Sequence, residues 1–326
     1  MTKADDARIM RAAIALSLRG NGRTAPNPNV GCIIVKDNRT IGRGWTQPSG
    51  RPHAEARALE QAEGLCQGAT AYVTLEPCFH LSPRGPRCVD LILRAGITRV
   101  VIGTQDPDPR TNGQSTKWLR DQGIAVTSGV LKAEARAAMG GFFMRQTKGR
   151  PFVTLKLGLS LDGCIAMADG TSQWITGNTA RAHAHLERAM HDAILVGRGT
   201  WWADSPRLDV RLPGLENRSP RRVLLSHGEA PEGWETIDDP SRIANLEGVA
   251  SIMIEGGAQT AAAFIQANLV DRLLLYRAPI IIGDGRCAIG DLGLPSLDAA
   301  HGQWHRTSQR QLGKDMMEVY LRAQGS

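Results

Sequence analysis

Three side chains that can bind a metal ion constrain this sequence more than any other feature. They are His53 in the segment His-Ala-Glu55, Cys78 in the segment Glu-Pro-Cys, and Cys88. A catalytic zinc ion takes three protein ligands and leaves a fourth position open for water. The sequence therefore predicts a fold that brings three separate segments to one point.

The residues around these ligands match what a zinc hydrolase needs. Zinc lowers the pKa of a bound water toward neutrality, and a carboxylate beside that water must carry its proton. Glu55 follows His53 by two residues on a predicted first helical turn, a spacing that can put it there. Cys78 follows a predicted strand, and Cys88 opens a predicted helix whose positive end favours a thiolate.

This order of residues is typical of zinc nucleobase deaminases. The departure is that nine residues separate Cys78 from Cys88 instead of two, which predicts a loop that returns the chain to the metal. A structural zinc site is the alternative interpretation. Such a site would normally be closed by a fourth Cys or His and would not need Glu55.

Hydrophobic periodicity predicts two α/β domains. Strands alternate with helices in the first half, which predicts a largely parallel sheet covered on both faces. The predicted helices there are 5–19, 53–62 and 88–95, and the predicted strands are 30–35, 69–75 and 99–103. The second half has predicted strands at 152–157, 193–196, 222–225, 251–254 and 273–278 and a helix at 259–267. A polar stretch with Gly and Pro, 147–151, predicts a boundary between a domain of residues 1–147 and one of residues 151–326.

Composition narrows the environment and the partners. No run in the 326 residues approaches the roughly 18 apolar residues of a membrane span, and the first residues lack the layout of a signal peptide. We therefore expect a cytoplasmic protein with no membrane partner, in which six cysteines do not form a disulfide framework. Residues 1–148 carry 21 Lys and Arg against 12 Asp and Glu, which suits a phosphorylated small molecule or a nucleic acid. A solvated basic surface without a partner explains the charge equally well.

Two glycine-containing turns in the second half indicate an anion site. Gly197-Arg-Gly199-Thr follows one predicted strand, and Glu255-Gly-Gly257 follows another and precedes a predicted helix. Glycines there let the backbone approach a pyrophosphate and direct N–H groups at it, although either pair alone is as often a plain turn. The sequence has no Gly-x-Gly-x-x-Gly opening, so a dinucleotide would be bound differently from a Rossmann fold.

Several motifs together resemble the bifunctional deaminase–reductase family of bacterial riboflavin biosynthesis, over nearly the whole chain. The motifs are Pro26-Asn-Pro-Asn-Val-Gly31-Cys, Pro52-His-Ala-Glu55, Ala71-Tyr-Val-Thr-Leu-Glu-Pro-Cys78, Leu155-Lys-Leu-Gly-Leu-Ser-Leu-Asp-Gly163, Ser172-Gln-Trp-Ile-Thr176 and Ile254-Glu-Gly-Gly257. The resemblance implies an α/β protein with an N-terminal cytidine-deaminase-like three-layer α/β domain and a C-terminal dihydrofolate-reductase-like α/β domain.

Hydrolytic deamination followed by reduction is the activity that the resemblance implies. The first domain would remove a ring amino group from a diaminopyrimidinone ribosyl phosphate, with zinc held by His53, Cys78 and Cys88 and with Glu55 as the proton donor. Asn27 and His80 would contact that substrate. The second domain would reduce the ribosyl group to a ribityl group with NADPH. The family also implies a homodimer.

The resemblance assigns roles to residues of the second domain as well. The implied NADPH contacts are Gly158, Trp174, Thr200, Asp204, Ser226 and the segment that starts at Gly257, and the implied substrate contacts are Ser172, Arg188, Leu208, Arg211 and Glu255. Arg188 and Arg211 suit a phosphate, which a guanidinium group binds at two points. Lys156, inside an apolar strand, is an additional candidate for the reducing centre. A strand-edge position facing solvent is its alternative.

Three departures from the family pattern fall in the first domain. Arg84-Gly-Pro-Arg87 replaces the usual Lys/Arg-Thr-Pro-Pro in a loop that is one residue longer, so either arginine is a candidate for the substrate phosphate. Thr46 stands where a substrate-binding histidine is usual. Asp108 replaces the asparagine of Asp-Pro-Asn-Pro, and its negative charge would disfavour a nearby phosphate unless it is compensated.

Two other functions are compatible with the sequence. One is a nucleoside- or RNA-acting zinc deaminase whose C-terminal half only docks partners, which leaves Ser172-Gln-Trp and the glycine turns unexplained. The other is a reductase whose first domain is a degenerate, structural zinc module, which Thr46 and Asp108 would favour. We favour the two-step enzyme acting on a phosphorylated pyrimidine, and therefore predict no nucleic-acid partner.

Overall fold

The computed structural model describes residues 2–323 of the chain. They divide into two compact units, an N-terminal and a C-terminal unit, with the division between Gly149 and Arg150. This point lies in the polar stretch 147–151, and the last helix of the N-terminal unit runs to Lys148, one residue beyond position 147. Each unit has its own sheet and its own hydrophobic core.

The N-terminal unit contains a five-stranded sheet and six α-helices. Its strands are β1 (Gly31–Lys36), β2 (Arg39–Trp45), β3 (Thr70–Leu75), β4 (Arg99–Thr104) and β5 (Ala125–Ser128), in the order β2-β1-β3-β4-β5. Its helices are α1 (Lys3–Ser17), α2 (Ala54–Gln61), α3 (Cys88–Arg94), α4 (Gln114–Asp121), α5 (Lys132–Ala138) and α6 (Gly140–Lys148). Every element predicted here is present, with ends that differ by at most two residues.

The sheet of this unit is mixed, so the prediction of a largely parallel sheet was wrong. β3, β4 and β5 are parallel, whereas β1 is antiparallel to both of its neighbours. The sequence analysis missed β2, which is rich in glycine and polar residues. β2 follows β1 through the turn Asp37-Asn38, whose φ angles of 49° and 59° are both positive, as a two-residue hairpin turn of type I′ requires.

Two glycines of β2 determine where α2 lies. A Cβ at Gly42 would lie 2.2 Å from the Ala58 carbonyl oxygen, and one at Gly44 would lie 2.1 Å from that of Ala54. The helix therefore packs directly on the backbone of the strand, an approach that only glycine permits. This contact fixes the helix that begins immediately after His53.

Helices cover both faces of the sheet, as the alternation of elements predicts. Ile33, Tyr72 and Val101 point to the face covered by α1 and pack with that helix in one apolar cluster. Ile34 and Val73, their neighbours in sequence, belong to the larger cluster on the opposite face, together with residues of α2, α3 and α4. The alternation follows from the period of two along a strand and gives three layers.

The C-terminal unit contains one eight-stranded sheet and one two-stranded sheet. Its strands are β6 (Phe152–Leu159), β7 (Cys164–Ala166), β8 (Ala193–Gly197), β9 (Arg221–Leu225), β10 (Glu235–Ile237), β11 (Ser251–Ile254), β12 (Arg272–Arg277), β13 (Arg286–Cys287), β14 (Trp304–Leu312) and β15 (Asp315–Arg322), and its helices are α7 (Asn178–Arg188), α8 (Arg198–Asp204) and α9 (Ala258–Gln266). The large sheet has the order β10-β9-β8-β11-β6-β12-β15-β14, and β7 pairs with β13 separately. None of the helices formed by residues 2–323 is both long and apolar enough to cross a membrane.

Six neighbouring strands of the large sheet run parallel to one another: β10, β9, β8, β11, β6 and β12. Their carboxyl ends therefore lie along one edge of the sheet. Ligands of open α/β sheets bind at that edge. The turns after Gly197 and after Ile254 leave the sheet there. The antiparallel hairpin β14–β15 was not predicted. The residues of β14 are mostly polar and exposed, so this strand lacks the apolar pattern by which the other strands were recognised.

Candidate active sites

His53, Cys78 and Cys88 meet in the N-terminal unit. His53 is the N-cap of α2, Cys78 lies in the loop after β3, and Cys88 is the first residue of α3. The Nδ1 atom of His53 lies 3.2 Å from Cys88 Sγ and 3.6 Å from Cys78 Sγ. The backbone N–H of Cys88 donates a hydrogen bond to Cys78 Sγ over 3.3 Å. The three potential ligand atoms lie within 4.8 Å of one another.

This arrangement fits a zinc ion. Bonds of about 2.1 Å to nitrogen and about 2.3 Å to sulfur, at tetrahedral angles, separate two ligand atoms by about 3.6 Å, close to the distances from His53 to the two sulfurs. Within residues 2–323, no fourth His, Cys, Asp or Glu joins the cluster. An ion held by these three side chains would therefore keep the open coordination position that a catalytic site needs.

Glu55 lies in the first turn of α2 with only 4% of its surface exposed. It lines a cavity of about 310 Å³ together with His53 and Cys78. Burial raises the pKa of Glu55 above its ordinary value, and the imidazole of His53 opposes that rise. A carboxyl group whose pKa is raised in this way is suited to both taking up and giving back a proton.

The cavity beside Glu55 contains the two other residues predicted to contact the deaminase substrate. Asn27 lines it from the segment before β1, and His80 lines it from the loop after Cys78. Thr46 lines it too, in the position where the resemblance leads one to expect a histidine. Its Oγ1 accepts a hydrogen bond of 2.9 Å from the Val30 N–H, so this side chain joins two segments of the cavity wall.

Glu76 is a buried residue of this site to which the sequence analysis gave no role. Its Oε1 accepts hydrogen bonds from Ser115 Oγ (2.8 Å) and from the N–H and Oγ1 of Thr116 (3.1 and 3.0 Å), and its Oε2 accepts one from the Gly113 N–H (3.0 Å). The donors lie at the N-terminus of α4, whose positive end stabilises a carboxylate. The motif Glu-Pro-Cys was a signal, but the partners come 37 to 40 residues later in the chain.

The two arginines of the loop between Cys78 and Cys88 lie outside the cavity with Glu55. Arg87 donates two hydrogen bonds of 2.8 Å to Asp90, and its guanidinium carbon lies 5.0 Å from the centroid of the Phe79 ring. Arg84 donates to the Ser49 carbonyl oxygen over 2.7 Å. It lines another cavity, of about 270 Å³, to which His53 and Cys88 also contribute.

Asp108 and Arg110 form an ion pair at the wall of the cavity with Glu55. The Nε atom of Arg110 lies 3.0 Å from each Asp108 oxygen, and Nη2 lies 2.5 Å from Oδ2. These hydrogen bonds hold the pKa of Asp108 below its ordinary value. Neither the pair nor Arg110 was identified from the sequence, although a spacing of two residues between opposite charges was a visible signal.

A larger cavity, of about 1060 Å³, lies in the C-terminal unit along the edge where the parallel strands end. It is lined by most of the residues that the resemblance assigns to the second domain: Lys156, Gly158, Ser172, Trp174, Arg188, Thr200, Asp204, Leu208, Arg211, Glu255 and Gly257. Ser226 does not line it. That residue follows β9 and lines another cavity, of about 560 Å³, with His227 and Arg242.

Glu255 is held between two basic side chains in the larger cavity. Its oxygens accept hydrogen bonds from Arg188 Nε (2.7 Å) and Nη2 (3.0 Å), and Lys156 Nζ lies 3.5 Å from Oε2. Burial alone would raise the pKa of Glu255, but Lys156 and Arg188 hold it at about 2. Glu255 is therefore ionised at neutral pH, and it anchors the Lys156 ammonium group beside the cavity.

Arg188 and Arg211 differ in how many donors they leave for a ligand. Besides its bonds to Glu255, Arg188 donates from Nη1 to the Asp209 carbonyl oxygen over 2.9 Å, and 13% of its side chain is exposed. Arg211 is 54% exposed, and its Nε lies 3.6 Å from Asp209 Oδ1. Arg211 is thus the more available of the two for a phosphate, and Arg188 is committed to the protein.

The N-terminus of α9 faces the larger cavity. Gly257 is its N-cap and provides no side chain to cap the helix, and the Gly257 N–H donates to Thr200 Oγ1 over 3.1 Å. A Cβ at Gly256 would lie 2.6 Å from the Cβ of Thr260, so glycine lets the turn pass close to the helix. A helix N-terminus approached through glycines is suited to binding an anion.

Two family models match the chain, one in each unit. Residues 3–104 match the cytidine and deoxycytidylate deaminase zinc-binding region, and residues 151–317 match the RibD C-terminal domain. The zinc-binding region contains His53, Cys78, Cys88 and Glu55. With the sheets and layers described above, these matches confirm the predicted fold class of a cytidine-deaminase-like domain followed by a reductase-like α/β domain.

Curated relatives match over nearly their full length. The riboflavin biosynthesis protein RibD of Escherichia coli (strain K12) is 39% identical over 90% of this chain and 92% of its own length. That of Aquifex aeolicus is 35% identical over 99% of this chain and 100% of its own length.

Solved structures agree with this similarity. A diaminohydroxyphosphoribosylaminopyrimidine deaminase/5-amino-6-(5-phosphoribosylamino)uracil reductase from Thermotoga maritima superposes with a TM-score of 0.88 at 32% identity, covering 99% of this chain and 100% of that one. A structure of RibD from Acinetobacter baumannii gives a TM-score of 0.88 at 33% identity, with the same coverage.

Proposed function

Because the chain belongs to the family of the riboflavin biosynthesis protein RibD, we propose that it catalyses two steps on one pyrimidine substrate. The N-terminal unit hydrolytically deaminates a diaminopyrimidinone ribosyl phosphate, and the C-terminal unit reduces the ribosyl group of the product to a ribityl group with NADPH. The observation that carries the proposal is the convergence of His53, Cys78 and Cys88 beside the buried Glu55.

Deamination requires a nucleophilic water and a group that moves protons. A zinc ion held by His53, Cys78 and Cys88 would supply the Lewis acidity that brings the pKa of a water near neutrality. Glu55 lies on the adjacent helical turn and is not part of the ligand cluster. It takes the proton of the water and passes it to the amino group, which leaves as ammonia. Asn27 and His80 hold the heterocycle in the cavity with Glu55.

Reduction of the ribosyl group needs one hydride at carbon and one proton at the ring oxygen that becomes a hydroxyl group. NADPH supplies the hydride. Lys156 is the group we propose as the proton donor, because its ammonium group is held 3.5 Å from Glu255 at the wall of the larger cavity. The ion pair with Glu255, which is ionised at neutral pH, orients the Lys156 side chain.

The two ligands of the larger cavity make different demands on it. Gly257 and Thr200, at the N-terminus of α9, would hold the pyrophosphate of NADPH, because the N-terminal N–H groups of a helix and its dipole favour an anion. The other proposed NADPH contacts in this cavity are Gly158, Trp174 and Asp204, whereas Ser226, which is also proposed, lines the separate cavity of about 560 Å³. The phosphate of the pyrimidine substrate binds Arg211, while Ser172, Leu208 and Glu255 contact the rest of it.

The alternative functions fit less well. A C-terminal half that only docks partners would not need a cavity of about 1060 Å³ lined by an ammonium–carboxylate pair. A degenerate first domain would not need a buried Glu55 beside three convergent ligands. The small-molecule activity therefore accounts for more of the buried polar groups.

Ammonia release and NADPH oxidation test the proposal together. The purified protein is incubated with the diaminopyrimidinone ribosyl phosphate, zinc is quantified in the same sample, and both products are followed with time. Ammonia without NADPH oxidation would leave only the deaminase half, and NADPH oxidation of the deaminated compound without ammonia release would leave only the reductase half. Tight RNA binding with a steep salt dependence would favour the RNA-acting alternative.

The homodimer and the cytoplasmic location implied by the family stay predictions. Light scattering of the purified chain tests the first, and fractionation of cells that express it tests the second.

A further inference from the structure

The cavity with Glu55 has an unusual charge balance for a site that takes a phosphorylated substrate. Four carboxyl groups line it, those of Glu55, Glu76, Asp106 and Asp108. Among the described residues, its only arginine or lysine is Arg110. A phosphate group carries about two negative charges at neutral pH and is bound in proteins chiefly by arginine and lysine. Any phosphate in this cavity must therefore be recognised close to Arg110.

From this arrangement we propose that Arg110 binds the phosphate of the deaminase substrate and that Asp108 positions its guanidinium group. The inference rests on the proposed deaminase function and names a specificity-determining contact within it. Arg84 and Arg87, the arginines that the sequence had offered for this role, are engaged with the Ser49 carbonyl oxygen and with Asp90 and lie outside the cavity.

The hydrogen bonds of Arg110 leave part of its guanidinium group open. Nε and Nη2 bind Asp108. Within residues 2–323, Nη1 makes no hydrogen bond. The side chain is 66% exposed, against 13% for that of Asp108. Arg110 thus presents two free N–H donors at the solvent side of the cavity while its other edge is fixed.

Asp108 is in turn fixed by the backbone. The Asp108 N–H donates to Asp106 Oδ1 over 2.9 Å, and the Arg110 N–H donates to Asp108 Oδ1 over 2.9 Å. The Asp108 carbonyl oxygen accepts from the N–H groups of Thr111 and Asn112. A carboxylate held this tightly orients the guanidinium fork at little entropic cost. The negative charge of Asp108, which by itself would repel a phosphate, is neutralised by Arg110.

The geometry also agrees with the two ends of the substrate. The heterocycle must reach the buried Glu55, which is 4% exposed, whereas a strongly hydrated phosphate is best left at the opening of the cavity. Arg110 is one of three exposed residues of the cavity wall, with Pro26 and Gln146, and it is the charged one. It lies where that group would remain partly in water. Recognition of the phosphate and chemistry at the ring are thereby carried by different residues.

Kinetics of R110Q with two substrates test the inference. The diaminopyrimidinone ribosyl phosphate and its dephosphorylated riboside are compared by ammonia release. R110Q should raise KM for the phosphorylated substrate roughly 10- to 100-fold, the range of a charge-assisted hydrogen bond, with kcat within about two-fold and no change for the riboside. D108N should raise the same KM less, without changing kcat. R84Q and R87Q are the matched controls and should keep the preference of the wild type.

Each other outcome has a definite meaning. An unchanged preference in R110Q, or a loss of preference in R84Q or R87Q, overturns the inference while ammonia release by the wild type leaves the deaminase function intact. A wild type that releases ammonia from neither substrate overturns both. Should R110Q lose zinc or unfold, R110K replaces it, and the lost two-point pairing should lower the preference about 3- to 10-fold. A full wild-type preference in R110K would contradict the proposed fork.

Discussion

Arg188 donates hydrogen bonds to both carboxylate oxygens of Glu255, from Nε to Oε1 over 2.7 Å and from Nη2 to Oε2 over 3.0 Å. The pair is largely removed from water, since 13% of the Arg188 side chain and 10% of that of Glu255 are exposed. Removing one partner of a buried pair leaves an uncompensated charge, which costs about 3–5 kcal/mol. The fixed carboxylate also holds Lys156 beside the larger cavity.

We predict that E255Q lowers the free energy of unfolding by about 3 kcal/mol and slows NADPH oxidation, with little effect on ammonia release. Urea unfolding and the two product assays measure this. E235Q, which breaks the half-exposed pair between Arg221 and Glu235, is the matched control and should change stability by less than about 1 kcal/mol. Equal losses in the two variants would contradict the importance of burial at Glu255.

Glu55 gives a prediction that separates proton transfer from metal binding. E55Q keeps the shape of the side chain and all three members of the ligand cluster but cannot move a proton. Ammonia release should fall by a factor of about 10² to 10⁴, the usual contribution of a general acid–base group, with zinc content unchanged. C88S, by contrast, should lose both zinc and activity. Zinc loss in E55Q would mean that this residue holds the metal after all.

Glu76 is expected to act through the loop that it ties to α4. The donors at Gly113, Ser115 and Thr116 all point at its oxygens, so E76Q would turn an amide NH₂ group toward at least one of them. We expect a loss of about 2 kcal/mol in stability and a lower kcat/KM for deamination. E63Q, on the exposed turn after α2, is the control. Wild-type stability in E76Q would show that water replaces these bonds without cost.

The elements that build both sites were predictable because their signals are local. The segments that form β3, β4, β8 and β11 are continuous apolar runs. The ligands His53, Cys78 and Cys88 could be recognised from their order in the sequence together with the strands and helices predicted beside them. β2 was not predicted, because Gly42 and Gly44 interrupt the apolar pattern that is typical of a strand. The same two glycines let α2 approach the backbone of β2.

Partners distant in sequence were beyond prediction. Arg188 is 67 residues from Glu255, so nothing local distinguishes a guanidinium group bound to a carboxylate from one that awaits a phosphate. The same holds for Glu76 and the start of α4. Asp108 and Arg110 are the opposite case, because a pair two residues apart can be inspected in the sequence, although its contact with the cavity cannot.

The buried side chain of His191 should make the free energy of unfolding depend on pH. It is fully enclosed, with Nδ1 2.7 Å from the Glu187 carbonyl oxygen and Nε2 3.1 Å from Thr154 Oγ1. Burial, and then the charge of Arg272, lower its pKa below the ordinary value of 6.5. The unfolded chain therefore binds a proton at a higher pH than the folded chain does, and His191 contributes a loss of stability as the pH falls below 6.5.

The measurement for His191 is urea unfolding between pH 8 and pH 5. The contribution of one histidine cannot exceed about 1.4 kcal/mol per pH unit, and H191Q should make the dependence shallower by up to that amount. H301Q, which changes an exposed histidine, should keep the slope of the wild type. Identical slopes for H191Q and the wild type would mean that His191 does not stay neutral on acidification.

The turn after β8 tests how closely the backbone approaches α9. A Cβ at Gly197 would lie 2.2 Å from Thr260 Oγ1 and 3.5 Å from its Cβ, whereas nothing lies within 4 Å of one at Gly199. G197A should therefore destabilise the protein by about 1–3 kcal/mol, the usual cost of overpacking, and G199A by less. Because the clash involves the hydroxyl group, T260A should recover most of the loss in the double variant, although it is itself destabilising. Additive losses in G197A/T260A would place the strain elsewhere in the turn, and thermal unfolding of the four variants decides between the two results.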